Sequence, residues 1–432
     1  MASPQVLKRE LGLFGAVMLG LGSIVGTGVF VSIGVAAGIT GPSVVLAVAI
    51  GALVATFNGL SSAQLAANHP VSGGTYEYGY EYLTPVLGFV AGWMFLSAKS
   101  ASAATAALGF AGYLTTLLGL RAPLVPIALA ALAVLVLVVL GGMRRSNATN
   151  IAIVSITLLA LVFFVIAGMP LAAQQGGSNF TPFFRPAEGS GGLRALLYAA
   201  ALMFVAYTGY GRIATLGEEV KEPRRTIPRA IIVALVATML LYASVALVGV
   251  GAVGAGTLGR AAGTRAAPLA VAAGAFALPF APHVLAVGAI TAMLGVLLNL
   301  ILGLSRVLLA MGRRRDMPPA VARLDAAGST PTVAVVVMGL VIAALVLIGN
   351  VKSTWSFSAF TVLVYYALTN LSALFLPPDG RLFPRWISVA GLLSCLFLAF
   401  FVQRLVWLAG LGLIAAGLLW FLVAQRLKGV GR

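Results

Sequence analysis

Four glycines lie close together in a long apolar stretch near the start of the chain: Gly20, Gly22, Gly26 and Gly28. A glycine inside a helix costs about 1 kcal/mol relative to alanine, so the cluster predicts an interrupted helix. The first half of such a helix ends in unpaired carbonyl groups, and the second half begins with unpaired N–H groups carrying partial positive charge. Together these ends can bind an ammonium group and a carboxylate, which predicts a site for an α-amino acid or a similar small zwitterion.

A second glycine pair lies in similar surroundings, where Gly209 and Gly211 flank Tyr210 in the middle of another apolar stretch. Paired interruptions in corresponding halves of a membrane protein are the sequence sign of an inverted-repeat transporter. The alternative is that the glycines only allow close helix packing, as the spacing of Gly22 and Gly26 would permit. Two clusters in matching positions favour the site.

We expect the first interruption to contact the substrate mainly through its backbone, and the second through a glycine and three aromatic residues that form a gate and a side-chain pocket. The predicted contacts are Ser23, Ile24, Gly26, Thr27, Gly28, Phe204, Tyr207, Gly209 and Tyr210. Packing is the alternative for the first set, and a core position is the alternative for each aromatic residue.

Two basic residues interrupt apolar stretches and are further candidates. Lys99 lies 14 residues after Pro85, which is about 21 Å along a helix and therefore near mid-membrane. A lysine there costs about 3 kcal/mol on insertion scales and is by default a functional hypothesis. Lys99 could carry a coupling proton, hold the place of a bound cation, or serve only a structural role. Arg212 could bind a substrate carboxylate, or line an inner vestibule and pair with Glu218 or Glu219.

Several other kinds of site are excluded by the residues present. No acidic residue lies in mid-span, which argues against a carboxylate proton relay and against a cage for a divalent cation. One cysteine and two histidines are too few for a disulfide or a histidine-based metal centre. No metal-ligand cluster, Gly-x-Ser-x-Gly motif or phosphate-binding loop points to an enzyme. We therefore predict no metal and no cofactor.

The composition identifies the protein class that must position these residues. The chain has 432 residues, of which 61% are hydrophobic and 9% charged, whereas soluble proteins carry about 25% charged residues. Apolar runs of about 20 residues indicate membrane-spanning helices rather than a barrel. We predict twelve spans, approximately 11–38, 42–67, 85–117, 122–142, 147–170, 193–217, 229–255, 283–311, 332–350, 355–376, 384–402 and 405–425. An Ala/Gly-rich stretch, 256–281, is predicted to form short helices on the outer face.

The basic residues predict the orientation of these spans. With the N-terminus inside, 17 of the 27 lysines and arginines lie in inner segments. Because basic residues favour the cytoplasmic side, both termini are predicted to be cytoplasmic, in a cell (inner) membrane. The net charge of +17 therefore needs no nucleic acid to explain it.

Several motifs resemble the amino acid–polyamine–organocation (APC) transporter family. The segment 23–30, Ser-Ile-Val-Gly-Thr-Gly-Val-Phe, is similar to the first-helix signature of that family, and 204–210 with 218–228 resembles its sixth helix and the loop that follows. The segment 70–76 resembles the loop between helices two and three, and 305–311 resembles the end of helix eight. The resemblance implies a LeuT-type five-plus-five inverted repeat with broken helices one and six. One transmembrane domain would then hold repeats at about 11–170 and 193–376, followed by two extra helices at about 384–425.

This chain also departs from the family pattern. Many members carry an acidic residue after the aromatic residue of the sixth-helix break, where this chain has Gly211 and then Arg212. Some proton-coupled members carry a lysine in helix five, where this chain has Ser155 and Thr157 and no lysine. We predict these two residues as coupling or pathway candidates. Asn299, in span eight, is a pathway candidate whose alternative role is an interhelical hydrogen bond.

The resemblance implies a secondary active transporter that carries amino acids by alternating access, and the absence of pathway carboxylates favours neutral ones. Coupling to protons and exchange without a coupling ion both remain open. The competing functions are a polyamine or organic cation carrier, which Lys99 and Arg212 would oppose, a channel, and a membrane enzyme. The oligomeric state is not predicted.

Overall fold

The computed structural model describes residues 11–70, 73–142, 147–184, 191–214, 220–325 and 330–430. These residues are helical throughout, apart from short connections and one parallel bridge between Leu11 and Val220. The helices are α1 Leu13–Ile24, α2 Ile33–Thr40, α3 Val44–Asn68, α4 Thr75–Tyr82, α5 Pro85–Leu117, α6 Leu124–Leu140, α7 Asn147–Asn179, α8 Gly192–Tyr207, α9 Gly211–Ala214, α10 Pro223–Val253, α11 Ala255–Arg265, α12 Pro268–Ala273, α13 Ala281–Arg313, α14 Thr332–Val346, α15 Val351–Leu374, α16 Arg385–Ala399 and α17 Arg404–Val430.

Within these described ranges, 8 helical segments are long and apolar enough to cross a membrane. One of them, Leu13–Asn68, has 56 residues and turns at Gly41–Ser43, so it includes the first two predicted spans. Three shorter apolar helices, α6, α14 and α16, fall on three further predicted spans. An all-helical membrane fold is therefore confirmed, while the count of twelve spans stays a prediction.

Two helices differ in length from the sequence prediction. Helix α7 continues to Asn179 although Pro170 lies inside it. Helix α10 begins at Pro223, ahead of the predicted start. Proline suits the first position of a helix because its missing N–H would have no intrahelical partner there. Proline therefore marks the start of α10 rather than a loop.

Small residues let the central helices approach one another closely. A methyl group built on Gly28 would lie 2.6 Å from Cβ of Ala206, and one built on Gly51 would lie 2.8 Å from the backbone nitrogen of Phe204. Close approach through small residues is how helices associate in a membrane, where no hydrophobic force drives them together. As a result, α8 packs against α3 and against the π-helical turn Gly28–Ser32 that follows α1.

Two faces of the bundle can be distinguished by the helix ends that meet there. The N-terminal face has Leu11, helix α4 and the end of α13, while the opposite face has the end of α2 together with α11 and α12. These last two are the short helices predicted for the Ala/Gly-rich stretch, and they pack on α2.

Candidate binding site

The first helix is interrupted as its glycines predict. Helix α1 ends at Ile24, and Val25 has extended backbone angles, φ −82° and ψ 100°. The chain re-enters a helical turn at Gly26, whose carbonyl accepts from the amides of Val29 (3.2 Å) and Phe30 (3.1 Å). The amides of Thr27 and Gly28 therefore precede the first helical hydrogen bond of the second half. They are the positive end of a helix that runs through the π-helical turn Gly28–Ser32 into α2.

The second interruption is milder. Helix α8 passes into a single 3₁₀ turn, Thr208–Tyr210, before the short helix α9. The Thr208 hydroxyl donates to the carbonyl of Val205 at 2.9 Å, and the Thr208 carbonyl accepts from the hydroxyl of Tyr366 at 3.1 Å. A tyrosine from α15 therefore donates to a backbone carbonyl of the irregular turn.

The two interruptions touch each other through backbone atoms. A methyl group on Gly209 would overlap the carbonyl of Ser23 and the amide nitrogen of Ile24, closer than the 3.0 Å that real Cβ atoms keep. Close packing, which the sequence posed as the alternative to a site, therefore occurs at Gly209, and the same residue also lines the cavity described below.

Tyr242, from α10, joins the two broken helices. Its hydroxyl donates to the carbonyl of Ile24 at 2.8 Å and lies 3.4 Å from the carbonyl of Ala206. Both acceptors belong to the last turn of a helix that stops at an interruption. Tyr242 is fully buried. Its hydrogen bond therefore fixes the geometry of the place where the two interruptions meet, which we call the crossing.

A cavity of about 120 Å³ lies beside this crossing. Five of the predicted residues line it: Ser23, Lys99, Gly209, Arg212 and Asn299. A smaller adjoining cavity of about 40 Å³ is lined by Ser23, Ile24, Thr27, Gly28, Lys99 and Gly209, together with Ser102 and Trp355. The glycine-rich interruptions and Lys99 are thus brought to one place.

Lys99 lies between the two cavities and lines both of them. Its Nζ donates to the Thr208 hydroxyl at 3.0 Å, so α5 is tied to the interruption of the sixth span. Thr208 lies 109 residues from Lys99, so this partner is not a neighbour of Lys99 in the sequence.

The remaining predicted residues do not line either cavity. Gly26 faces Val296 of α13, whose Cγ2 would lie 2.6 Å from an added methyl group. Phe204, Tyr207 and Tyr210 are fully buried. The structure therefore places these three aromatic rings behind the crossing.

Each of these aromatic rings packs against another tyrosine. Phe204 meets Tyr366 edge to face at 5.6 Å, and Tyr210 lies 5.4 Å from the same ring. Tyr207 lies 5.0 Å from the ring of Tyr242. The aromatic residues that do reach the larger cavity are Phe95, Tyr365 and Tyr366, which the sequence did not single out.

Helix α7 contacts α1 through Asn150. Ser155 is half-buried, and the Thr157 hydroxyl donates to the carbonyl of Ile153 at 2.8 Å. Asn150, one turn earlier, donates from its side chain to the carbonyl of Met18 at 2.9 Å and packs beside Gly22. Asn150 thus contacts α1, and Asn147 lies beside Gly15 of the same helix.

The larger cavity extends toward the N-terminal face. Gly73, Gly74 and Arg306 line it there, and Arg306 is exposed. Arg212 is half-buried nearby. Its predicted partners, Glu218 and Glu219, lie outside the described residues.

A hydrogen-bonded cluster fixes helix α4 beside this opening. Asp316 is fully buried and its carboxylate accepts from the hydroxyls of Tyr76 (2.7 Å) and Tyr80 (2.5 Å). The pKa of each tyrosine is raised above the ordinary tyrosine value, mainly by burial and next by the hydrogen bond to Asp316 and its negative charge. Both hydroxyls therefore stay protonated and act as donors. The Asp316 carbonyl also accepts from Nε1 of Trp420 at 2.9 Å, which ties in α17.

Arg314 completes the cluster on its exposed side. Its guanidinium lies 4.3 Å from the ring centre of Tyr80 and pairs with Glu77. Burial lowers the pKa of Arg314, but the hydrogen bond and charge of Glu77 outweigh it, so the net shift is upward. Helix α4, which follows Gly73 and Gly74, is therefore attached to the end of α13.

The opposite face is closed by close contacts of backbone with backbone and with a proline ring. A methyl group on Gly34 would lie 2.6 Å from Cβ of Pro268, and one on Gly38 would lie 3.0 Å from Cα of Gly259. The hydroxyl of Tyr113 donates to the carbonyl of Phe30 at 2.7 Å and accepts from the amide of Leu269 at 3.3 Å. The crossing is thus accessible from the N-terminal face and covered on the other.

Comparison with known proteins places this architecture among transporters. A family model described as amino acid permease matches residues 15–429. An uncharacterized transporter of Mycobacterium tuberculosis is 39% identical over 96% of this chain and 91% of its own length. The branched-chain amino acid permease of Bacillus subtilis is 27% identical, with the same shares of both chains covered. The methylthioribose transporter of Bacillus subtilis is also 27% identical, over 97% of this chain and 94% of its own length.

Proposed function

Because the chain belongs to the amino acid permease family, we propose that it carries α-amino acids across the membrane by alternating access. The observation that supports this most directly is the crossing of two interrupted helices beside a cavity that opens to one face. Such a crossing puts unpaired helix ends of both signs next to a space for a small molecule. The names of the relatives do not fix the substrate, since they include a methylthioribose transporter as well as an amino acid permease.

The two helix ends suggest how the substrate is held. Its carboxylate accepts from the amides of Thr27 and Gly28, at the positive end of the second half-helix. Its ammonium group donates to carbonyls at the end of α1, where Tyr242 already occupies that of Ile24. The side chain then extends into the larger cavity, past Phe95 and Leu300.

The open cavity corresponds to one half of the transport cycle. It is open toward Gly73 and Gly74, while α11 and α12 cover the opposite side. If both termini are cytoplasmic in the cell membrane, as the basic residues predict, this is an inward-facing state. Return to the outward-facing state requires α4 and the end of α13 to approach α9, closing the space around Arg212.

The charges of the cavity bear on the substrate class. Lys99, Arg212 and Arg306 line it, and none of the described lining residues is acidic. Positive charge repels a cationic side chain, which argues against a polyamine or an arginine-like substrate. We therefore keep the proposal of neutral amino acids, with proton coupling and ion-free exchange as the two modes to be separated.

Uptake by the purified full chain in proteoliposomes tests the proposal. A panel of labelled amino acids is offered without sodium, with and without an inward proton gradient. Accumulation that rises with the gradient indicates proton coupling, whereas uptake only into liposomes preloaded with amino acid indicates exchange. Absence of uptake of every amino acid, by protein that is monodisperse and reconstituted, would refute amino acid transport.

A further inference from the structure

The smaller cavity has the positive end of a helix on one side. The amides of Thr27 and Gly28 begin a helical stretch that continues to Thr40, and both residues line the cavity. Unpaired amides at a helix start attract an anion. By itself this feature fits many helices, so it needs a second observation.

The hydroxyl of Thr27 supplies that second observation. Thr27 is 4% exposed, and its Oγ1 has no hydrogen-bond partner among the described residues. Leaving a buried hydroxyl without a hydrogen-bond partner costs free energy. Because the same residue lines the cavity, a bound oxygen atom would relieve this cost.

Lys99 faces the same small cavity. Its ammonium group has three N–H donors, one of which is directed at Thr208. Two ion pairs of the protein, Arg225–Glu222 and Arg314–Glu77, lie elsewhere. No carboxylate in the described lining balances the Lys99 charge. A cation near mid-membrane without such a counter-charge favours binding of an anion.

From these three features we infer that Lys99 binds the substrate carboxylate together with Thr27 and the amides of Thr27 and Gly28. This inference rests on the proposed amino acid transport and adds the group that selects for the carboxylate. Hydrogen bonds between charged partners are about twice as strong as neutral ones. Lys99 therefore makes the site discriminate an amino acid from its carboxamide and from the corresponding amine.

The arrangement also ties recognition to the second interruption. Lys99 contacts Thr208 through the same Nζ that faces the cavity, and the Thr208 carbonyl is held by Tyr366. A carboxylate bound at Lys99 is thus connected both to α5 and to the turn between α8 and α9. An amine lacks the carboxylate, so its binding does not involve this contact.

Binding measurements on the full chain in detergent test the inference. Affinities are measured for each accumulated amino acid, its carboxamide and its amine, beginning with L-leucine, L-leucinamide and 3-methylbutylamine. The variants are Lys99→Gln, which keeps a donor for Thr208 but removes the charge, Lys99→Arg, which keeps the charge, and Thr27→Val, which removes the hydroxyl at nearly constant volume. Arg260→Gln removes one positive charge from an exposed residue of α11 and is the matched control.

We expect Lys99→Gln to weaken binding of the amino acid about 10- to 100-fold while binding of the carboxamide changes little. Lys99→Arg and Arg260→Gln should preserve the ratio of the two affinities, and Thr27→Val should lower it about 5-fold or more. If Lys99→Gln does not yield monodisperse protein, the ratios for Thr27→Val and Lys99→Arg decide the question.

Two results would overturn the inference. An unchanged ratio in Lys99→Gln and Thr27→Val would show that neither residue selects the carboxylate. An equal loss for the amino acid and the carboxamide would show that Lys99 only supports the interruption through Thr208. Both results leave amino acid transport standing, whereas a wild-type protein that neither binds nor accumulates any amino acid removes the proposed function and this inference together.

Discussion

Substitution of Gly209 by alanine separates the two interruptions at the point where they touch. A methyl group there would overlap the Ser23 carbonyl and the Ile24 amide, both of which are backbone atoms that cannot rotate away. Ordinary contacts of Cβ atoms begin at 3.4 Å, so the two backbones must part by about 1 Å to admit the methyl group. The crossing would then lose the geometry that holds the two helix ends together.

The magnitude follows from the nature of the contact. Forcing an extra methyl group into a packed interior costs about 1–3 kcal/mol. Part of this cost appears as lower stability and part as weaker binding, because the displaced atoms belong to the site. We expect Gly209→Ala to lower the rate of amino acid uptake about 10-fold or more, with a smaller effect on the amount of folded protein.

Gly303→Ala is the matched control. Gly303 lines the same cavity, but a methyl group built on it would meet nothing within 4 Å. It lies inside α13, where alanine is the better helix former by about 1 kcal/mol. We expect uptake by Gly303→Ala to stay within about threefold of the unmodified protein, since the substitution removes space without displacing backbone.

Initial uptake rates of both variants in proteoliposomes, normalised to reconstituted protein, decide between these expectations. If Gly209→Ala transports as well as Gly303→Ala, the close approach at Ser23 does not control transport. Equal loss of uptake in both variants would also contradict this expectation. The uptake rate would then depend on the cavity volume and not on the backbone contact.

Three further predictions concern other contacts. Tyr242→Phe removes the hydroxyl that donates to the Ile24 carbonyl. It should lower the free energy of unfolding by about 1–3 kcal/mol. Tyr78→Phe is the control, since the Tyr78 hydroxyl is equally buried but has no partner in the described chain. Asp316→Asn weakens the hydrogen bonds to two tyrosines at once, whereas Tyr76→Phe removes one bond worth about 1.5–3 kcal/mol. In thermal unfolding, Asp316→Asn should therefore lower the stability more than Tyr76→Phe does. Equal losses of stability would mean that the bond from Tyr80 contributes nothing. Gly38→Val places side-chain atoms against Gly259 and should hold the opposite face apart. Labelling of a cysteine introduced at Ala262, a buried residue of α11, in a Cys395→Ser background should then be faster than without Gly38→Val. Unchanged labelling would refute closure at this contact.

Glycine spacing was sufficient to predict where both interruptions lie. The reason is local, because a cluster of glycines weakens a helix wherever the helix is placed. The position of Lys99 could likewise be counted from the start of its helix. These features need no knowledge of how distant segments pack.

The partners of these features could not be predicted in the same way. Thr208 meets Lys99, and Tyr366 meets Thr208, across separations of 109 and 158 residues. The 3₁₀ turn at 208–210 also changes which way the following side chains point, since its residues advance by about 120° rather than 100°. This turn explains the position of Tyr210. The sequence predicts its ring in the pocket, whereas the ring is buried behind the crossing.

The contact between Gly38 and Gly259, and that between Gly34 and Pro268, have a consequence for ion leakage. Barriers made of side chains can open briefly when one rotamer changes, and water or a proton can then pass. Here the barrier consists of main chain and small rings, so no single bond rotation makes a path. A leak of water or protons requires whole helices to move apart. Leakage through the protein is therefore limited by the same helix motion that moves the substrate.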